Sequence, residues 1–155
     1  MMLNTIIIFG AKYLYLFELA LFAGYFLGTT TRRKRAMTIL SAIYLPIAYV
    51  VAKLISLVYV DPRPFVTEHI TPLIPHAADN GFPSDHMLFT GAMASILYAY
   101  DKRLGMIAWA MALLVGASRV FAGIHHWVDI LGSIIVVIVT MMLVKRYISP
   151  QMIKQ

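Results

Sequence analysis

The chain of 155 residues is 61% hydrophobic and only 13% charged, and it contains no cysteine. Soluble domains are about 45–50% apolar and about 25% charged, so a chain this apolar is predicted to lie in a membrane. The composition excludes a disordered chain, a disulfide scaffold and a thiol-ligated metal site. In a membrane protein the net charge of +6 reports topology, so we expect no nucleic-acid partner.

Five apolar stretches have about the length that a membrane-spanning helix needs, which is roughly 20 residues. They cover about residues 6–27, 36–58, 84–99, 104–121 and 127–144. The first lacks the basic leader and cleavage site of a signal peptide and is expected to remain as a span. Residues 59–83 contain five prolines, which excludes a continuous helix there. We therefore predict an all-α membrane bundle of about five spans, in one domain covering residues 1–155.

The charges are distributed unequally between the two sides that five alternating spans create. Nine of the thirteen basic residues fall on one side: Arg32, Arg33, Lys34, Arg35, Lys102, Arg103, Lys145, Arg146 and Lys154. The positive-inside rule makes that side, with the C-terminus, cytoplasmic and places the N-terminus outside. The histidines and most of the carboxylates then face the outer surface of a plasma membrane.

Three polar clusters are predicted to meet at that outer surface. They are Asp61-Pro62-Arg63-Pro64-Phe65, Phe82-Pro83-Ser84-Asp85-His86, and the segment from Ser118 to Asp129. Arginine side chains bind phosphate oxygens through two parallel hydrogen bonds. A serine at a helix start adds free backbone N–H groups and the positive end of the helix dipole. Together, these residue types favour phosphoryl chemistry.

The pair His125 and Asp129 lies four residues apart, so one helix turn brings the two side chains together. A carboxylate bonded to one ring nitrogen leaves the other free to attack phosphorus. His86 is placed to protonate a leaving oxygen. A satisfied histidine–aspartate pair that only ties helices together is the structural alternative.

The clusters resemble the signature of the type 2 phosphatidic acid phosphatase superfamily, whose relatives include vanadium haloperoxidases. Ser118-Arg119, five residues, His125, three residues and Asp129 match its third motif in full. Arg63-Pro64 match the end of the first motif, and Pro83, Ser84 and His86 match the second. The resemblance implies His125 as nucleophile, Asp129 as its orienting partner and His86 as general acid. It further implies Arg63, Ser84 and Arg119 as phosphate ligands, and it implies neither metal nor cofactor.

Two positions depart from the superfamily pattern. The first motif has a lysine where this chain has Ser56, and the second has a glycine where this chain has Asp85. Lys53 is the nearest candidate to replace the missing lysine, and a carboxylate at Asp85 would repel phosphate unless it is neutralised. These departures resemble the bacitracin-resistance subgroup of undecaprenyl-diphosphate phosphatases, with the strong resemblance covering about residues 53–133.

The resemblance implies dephosphorylation of undecaprenyl diphosphate, a polyprenyl diphosphate lipid whose tail stays among membrane lipids. The motifs contact phosphate and not the tail, so phosphatidylglycerophosphate or phosphatidate remains an alternative substrate. A non-enzymatic protein that binds or transports an anionic lipid is the alternative from another class. Five further residues are expected as possible substrate contacts: Asp85, Lys53, Ser118, His126 and His76. The oligomeric state is left open.

Overall fold

The computed structural model describes residues 2–147, and over this range it is all-helical, as predicted. Its helices are α1 (Met2–Lys12), α2 (Leu14–Gly28), α3 (Thr31–Val58), α4 (Pro64–Thr67), α5 (Asp85–Tyr100), α6 (Lys102–Phe121) and α7 (Trp127–Tyr147). Lys154 lies outside the described residues.

The first predicted span is bent. Helices α1 and α2 meet at Tyr13 with an angle of 44° between them. At this break the backbone N–H of Leu16 bonds to the carbonyl of Tyr13, three residues back, at 3.0 Å. The carbonyl of Ala11 accepts a hydrogen bond from Arg119 at 3.4 Å. The bend therefore gives α6 a backbone acceptor inside the bundle.

Helix α5 is the centre of the bundle. It packs against α3, α6 and α7, and ten of its 16 residues are buried. At 1.5 Å per residue it is about 24 Å long, less than the roughly 30 Å of a bilayer core. Its apolar side chains pack mainly against other helices.

Length and composition identify three to four of the five predicted spans. Over the described residues, α3, α6 and α7 qualify as membrane spans, and the bent pair of α1 and α2 is a fourth if it counts as one. Helix α5, the remaining predicted span, has 16 residues and is shorter than α3, α6 and α7.

Helix α3 begins earlier than predicted. Thr30 is its N-cap and accepts a bond from the N–H of Arg33 at 3.4 Å, so the basic residues 32–35 lie in its first turns and not in a loop. The far end of α3 lies beside the polar segment 59–84. Large apolar side chains remain exposed on α3, α6 and α7, among them Leu54, Leu114 and Ile135. Such faces suit a lipid environment.

Candidate active site

A polar cavity of about 360 Å³ lies where four helix ends meet. The C-terminal ends of α3 and α6 and the N-terminal ends of α5 and α7 surround it, and the segment 59–84 covers it. Its lining includes residues from all three sequence clusters and from the end of α3 and the segment 59–84: Lys53, Ser56, Arg63, His76, Asp79, Asn80, Phe82, Pro83, Asp85, His86, Arg119 and His125. The fold thus brings residues more than 70 positions apart into one chamber.

His125 is held by the carboxylate of Asp129. Its Nδ1 lies 3.0 Å from Asp129 Oδ2, and both side chains are almost fully buried. The same oxygen accepts the backbone N–H of His126 at 2.9 Å. Because the carboxylate accepts the Nδ1 proton, the lone pair of His125 resides on Nε2. Nε2 is therefore the ring atom available to attack phosphorus.

Two guanidinium groups converge on His125 Nε2. Arg63 Nη1 lies 3.2 Å from it and Arg119 Nη2 lies 3.4 Å from it. Arg63 is held in place by Asp79 at 2.7 Å and by the carbonyl of Ile124 at 2.7 Å. A tetrahedral phosphoryl group placed at Nε2 would therefore meet N–H donors from both sides.

Arg119 is positioned by contacts on two sides of the bundle. Its Nη1 bonds to the carbonyl of Ala11, and its Nη2 lies 3.2 Å from His76 Nε2. The side chain is 4% exposed. Both arginines reach the cavity from buried, hydrogen-bonded positions, which fixes their geometry before a ligand arrives.

Burial and the neighbouring arginine charges keep the histidines of the cavity neutral. Burial, reinforced by the charges of Arg119 and Arg63, lowers the pKa of His125 to about 2. Burial and the charge of Arg119 lower the pKa of His86 to about 4. The pKa of His76 is lowered by burial and by both arginines. At neutral pH His125 is therefore an uncharged imidazole, the form that acts as nucleophile.

The depressed pKa of His125 predicts a pH-dependent stability. An unfolded histidine titrates near 6.5, so below that pH the unfolded chain binds a proton that the folded chain rejects. Stability is fully present above about pH 6.5 and is lost as the pH falls, by up to about 1.4 kcal/mol per pH unit.

This effect is measurable as the unfolding temperature in detergent between pH 4.5 and 7.5. We expect the melting temperature of wild type to fall more steeply below pH 6.5 than that of His125→Asn, which cannot titrate. Parallel curves for the two proteins would contradict a neutral, buried His125.

His86 lies in the first turn of α5 and lines the cavity. Its ring meets the ring of Tyr15 edge-on, with 5.5 Å between centroids. The bent α1–α2 segment thus contacts both the predicted general acid and, through Ala11, one arginine.

Ser84 is the N-cap of α5 and is completely buried. Its backbone N–H bonds to the carbonyl of Asp129 at 3.3 Å, and its carbonyl accepts the hydroxyl of Ser133. Within residues 2–147 its own hydroxyl has no hydrogen-bond partner, and it is not among the residues lining the cavity. Its predicted role as a phosphate ligand remains a prediction.

Asp85 and Lys53 form an ion pair in the lining of the cavity. Lys53 Nζ lies 3.1 Å from Asp85 Oδ1 and 3.4 Å from Oδ2. This ion pair neutralises the carboxylate that sequence reasoning expected to repel phosphate. Both residues line the cavity, as does His76.

The other two possible substrate contacts lie apart from the cavity lining. Ser118 packs at the close approach of α1 and α6, where a Cβ added at Gly10 would collide with its hydroxyl. His126 turns towards Asp61, with 2.9 Å between Nδ1 and Oδ2, and lies 3.6 Å from Glu68.

The sequence analysis placed Asp61 in the first polar cluster without assigning it a role, and it did not name Asn80. Asn80 accepts the backbone N–H groups of Asp61 and Phe82 and donates to the carbonyls of Ser56 and Tyr59. It therefore fastens the segment 59–84 to the end of α3. A lone asparagine in a proline-rich loop carries no sequence signal for such a role.

Three ligand atoms, one each from Asp61, His126 and Asp129, lie within 4.8 Å of one another and are placed to hold a cation. Hydrogen bonds already link His126 to Asp61 and to Asp129 Oδ2. These bonds account for the cluster without an ion, and a metal-free reaction stays a prediction.

The sequence model of the PAP2 superfamily matches residues 35–153. The chain belongs to this superfamily. It is 41% identical over 148 residues to "Undecaprenyl-diphosphatase BcrC" of Bacillus subtilis, covering 94% of this chain and 75% of that protein. It is 31% identical over 130 residues to "Bacitracin transport permease protein BcrC" of Bacillus licheniformis, covering 83% and 64%.

A solved PAP2 structure resembles the fold. It is the transmembrane phosphatidylglycerolphosphate phosphatase of Bacillus subtilis, with a TM-score of 0.59 and 26% identity, covering 94% of this chain and 76% of that one. Membership of the PAP2 superfamily and the apolar helices together show a multi-pass membrane protein.

Proposed function

We propose that this PAP2 protein hydrolyses undecaprenyl diphosphate to undecaprenyl phosphate and inorganic phosphate, and so recycles the cell-wall carrier lipid. The observation that carries the proposal is the placement of His125 Nε2 between two arginines with Asp129 behind it. The name of the Bacillus subtilis relative supports the choice of lipid.

In the first step His125 Nε2 attacks the terminal phosphorus, and the bond from that phosphorus to the bridging oxygen breaks. Arg63 and Arg119 stabilise the charge on the transferring oxygens. His86, protonated in the substrate complex, gives its proton to the departing lipid monophosphate. Asp129 stabilises the positive charge that the phosphorylated imidazole carries.

In the second step His86, now neutral, takes a proton from a water molecule that attacks the phosphohistidine. The bond between Nε2 and phosphorus breaks, inorganic phosphate leaves, and His125 returns to its neutral form. The charge of bound diphosphate raises the proton affinity of His86 relative to the empty site, which favours its acid role.

A glycerolipid phosphate is the second candidate substrate, because the solved relative is a phosphatidylglycerolphosphate phosphatase. The non-enzymatic alternative draws on the relative named a transport permease. A lipid carrier would need the arginines, but a neutral histidine with a buried carboxylate behind it serves covalent chemistry.

The deciding experiment measures phosphate release in detergent with EDTA present. The substrates are undecaprenyl diphosphate, phosphatidylglycerophosphate and phosphatidate. We expect the highest rate with the diphosphate. Faster release from a glycerolipid would change the substrate and keep the mechanism. No release from any lipid would favour binding or transport, and activity restored by divalent metal would overturn the metal-free reaction.

We further propose that the site faces the outside of the plasma membrane, with the N-terminus outside and the C-terminus in the cytoplasm. The ends of the spans opposite the cavity carry the clustered basic residues: Arg32, Arg33, Lys34, Arg35, Lys102, Arg103, Lys145 and Arg146. The positive-inside rule places that end in the cytoplasm.

This orientation is testable because the chain has no native cysteine. We expect His69→Cys, at an exposed position of the segment 59–84, to react with a membrane-impermeant maleimide in intact cells. Lys34→Cys is expected to react only after permeabilisation. The reverse pattern would place the site on the cytoplasmic side.

A further inference from the structure

The ion pair between Lys53 and Asp85 stands apart from the reacting groups. It joins α3 to the first turn of α5, and its side chains are 45% and 63% exposed. Neither residue bonds to His125, to Asp129 or to an arginine in the described structure. The pair is therefore free to rearrange without disturbing the catalytic geometry.

An apolar groove of about 400 Å³ begins at this pair. It runs between α3 and α5 and is lined by Leu45, Ala48, Tyr49, Leu88, Phe89 and Ala92, together with Asp85. Asp85 lines both the groove and the polar cavity. Lys53 Nζ lies 5.2 Å from the ring centre of Tyr49. The path from His125 to the groove thus passes Lys53 and Asp85.

A lipid diphosphate has its terminal phosphorus at one end, its isoprenoid chain at the other and a second phosphate between them. With the terminal phosphorus at His125 and the chain in the α3–α5 groove, the second phosphate lies beside Lys53. We propose that Lys53 binds this lipid-bearing phosphate and that Asp85 holds Lys53 when the site is empty. This inference rests on the proposed function.

Replacing Asp85 by a phosphate as the partner of Lys53 costs little free energy. Exposed ion pairs contribute little to stability, so an incoming phosphate with more charge displaces the carboxylate from Lys53. When the lipid monophosphate leaves, Asp85 takes Lys53 back and competes against rebinding of product. A monoester presents no charge at this point, so the pair selects diphosphates over monoesters.

The test uses farnesyl diphosphate as substrate and orthovanadate as a probe that occupies only the site of the transferred phosphoryl group. For Lys53→Met we expect kcat/KM to fall about 10-fold or more, because one charged contact is lost. The vanadate inhibition constant should change less than about threefold, and Lys53→Arg should restore most of the rate. Equal losses for diphosphate and vanadate would overturn the proposal.

A second variant tests Asp85. In Asp85→Asn the lysine is released, so farnesyl phosphate should inhibit at least about threefold more tightly than in wild type. Unchanged inhibition by product would overturn the role of Asp85. Lys102→Met, at the opposite end of the bundle, is the matched control, and size-exclusion profiles and melting temperatures verify folding.

The proposed hydrolysis and the proposed Lys53 subsite would be contradicted by different results. If wild type releases no phosphate from any lipid diphosphate, the proposed function fails. If wild type is active and Lys53→Met lowers kcat/KM for diphosphate no more than it weakens vanadate, only the subsite for the second phosphate fails.

Discussion

Replacing His125 with asparagine is expected to lower kcat by about 10⁵-fold, because in the proposed mechanism this residue supplies the attacking atom. The shorter asparagine side chain still fits the space between Asp129 and the arginines, so the fold and the phosphate site are retained. The loss therefore reports chemistry and not unfolding.

The measurement pairs steady-state phosphate release with labelling by a substrate carrying ³²P in its terminal phosphate, quenched in alkaline detergent. Wild type should form a base-stable, acid-labile phosphoprotein, and His125→Asn should form none. His69→Asn is the matched control, because His69 lies in an exposed loop at a positive φ of 54° that asparagine tolerates. Labelling that persists in the His125 variant would contradict the assignment of the nucleophile.

Replacing Asp129 with asparagine is expected to lower kcat by roughly 10³–10⁴-fold, by analogy with other histidine–carboxylate pairs. The carboxylate accepts both the Nδ1 proton of His125 and the backbone N–H of His126. Asparagine can keep its oxygen on both of these donors, so the tautomer of His125 is retained. It lacks the negative charge that stabilises the positively charged phosphorylated imidazole, and the loss falls on kcat.

The tautomer can be read directly from ¹⁵N chemical shifts of labelled histidine, alongside kcat and KM. We expect KM to change little, because Arg63 and Arg119 still bind phosphate. Asp101→Asn is the control, since Asp101 caps α6 at the opposite end of the bundle and asparagine caps equally well. A KM effect without a kcat effect would make Asp129 a binding residue.

The all-α membrane class could be predicted from composition and the length of the apolar stretches, and the match to the PAP2 superfamily confirms the family resemblance that the motifs indicated. The motif from Ser118 to Asp129 predicted its own geometry, because a spacing of four on a helix start places His125 beside Asp129. Because His125 and Asp129 are only four residues apart, their contact could be predicted from the sequence.

The span count could be predicted only approximately, since hydropathy measures apolarity and not what the apolar surface touches. Helix α5 packs against α3, α6 and α7, and at 16 residues it is shorter than each of them. No proline or glycine lies at the break at Tyr13, so the bend could not be predicted from the sequence. The carbonyl of Ala11 can accept a hydrogen bond from Arg119 only when α1 packs on α6.

Composition and motifs predicted a lipid environment, helices and the residue types of a phosphoryl-transfer site. Folding then selects which of those side chains meet, because it pairs Lys53 with Asp85, turns His126 to Asp61 and packs Ser118 against Gly10. Distance along the chain explains the difference. Local spacing fixes contacts within one turn of helix, whereas contacts between distant helices depend on how every helix packs.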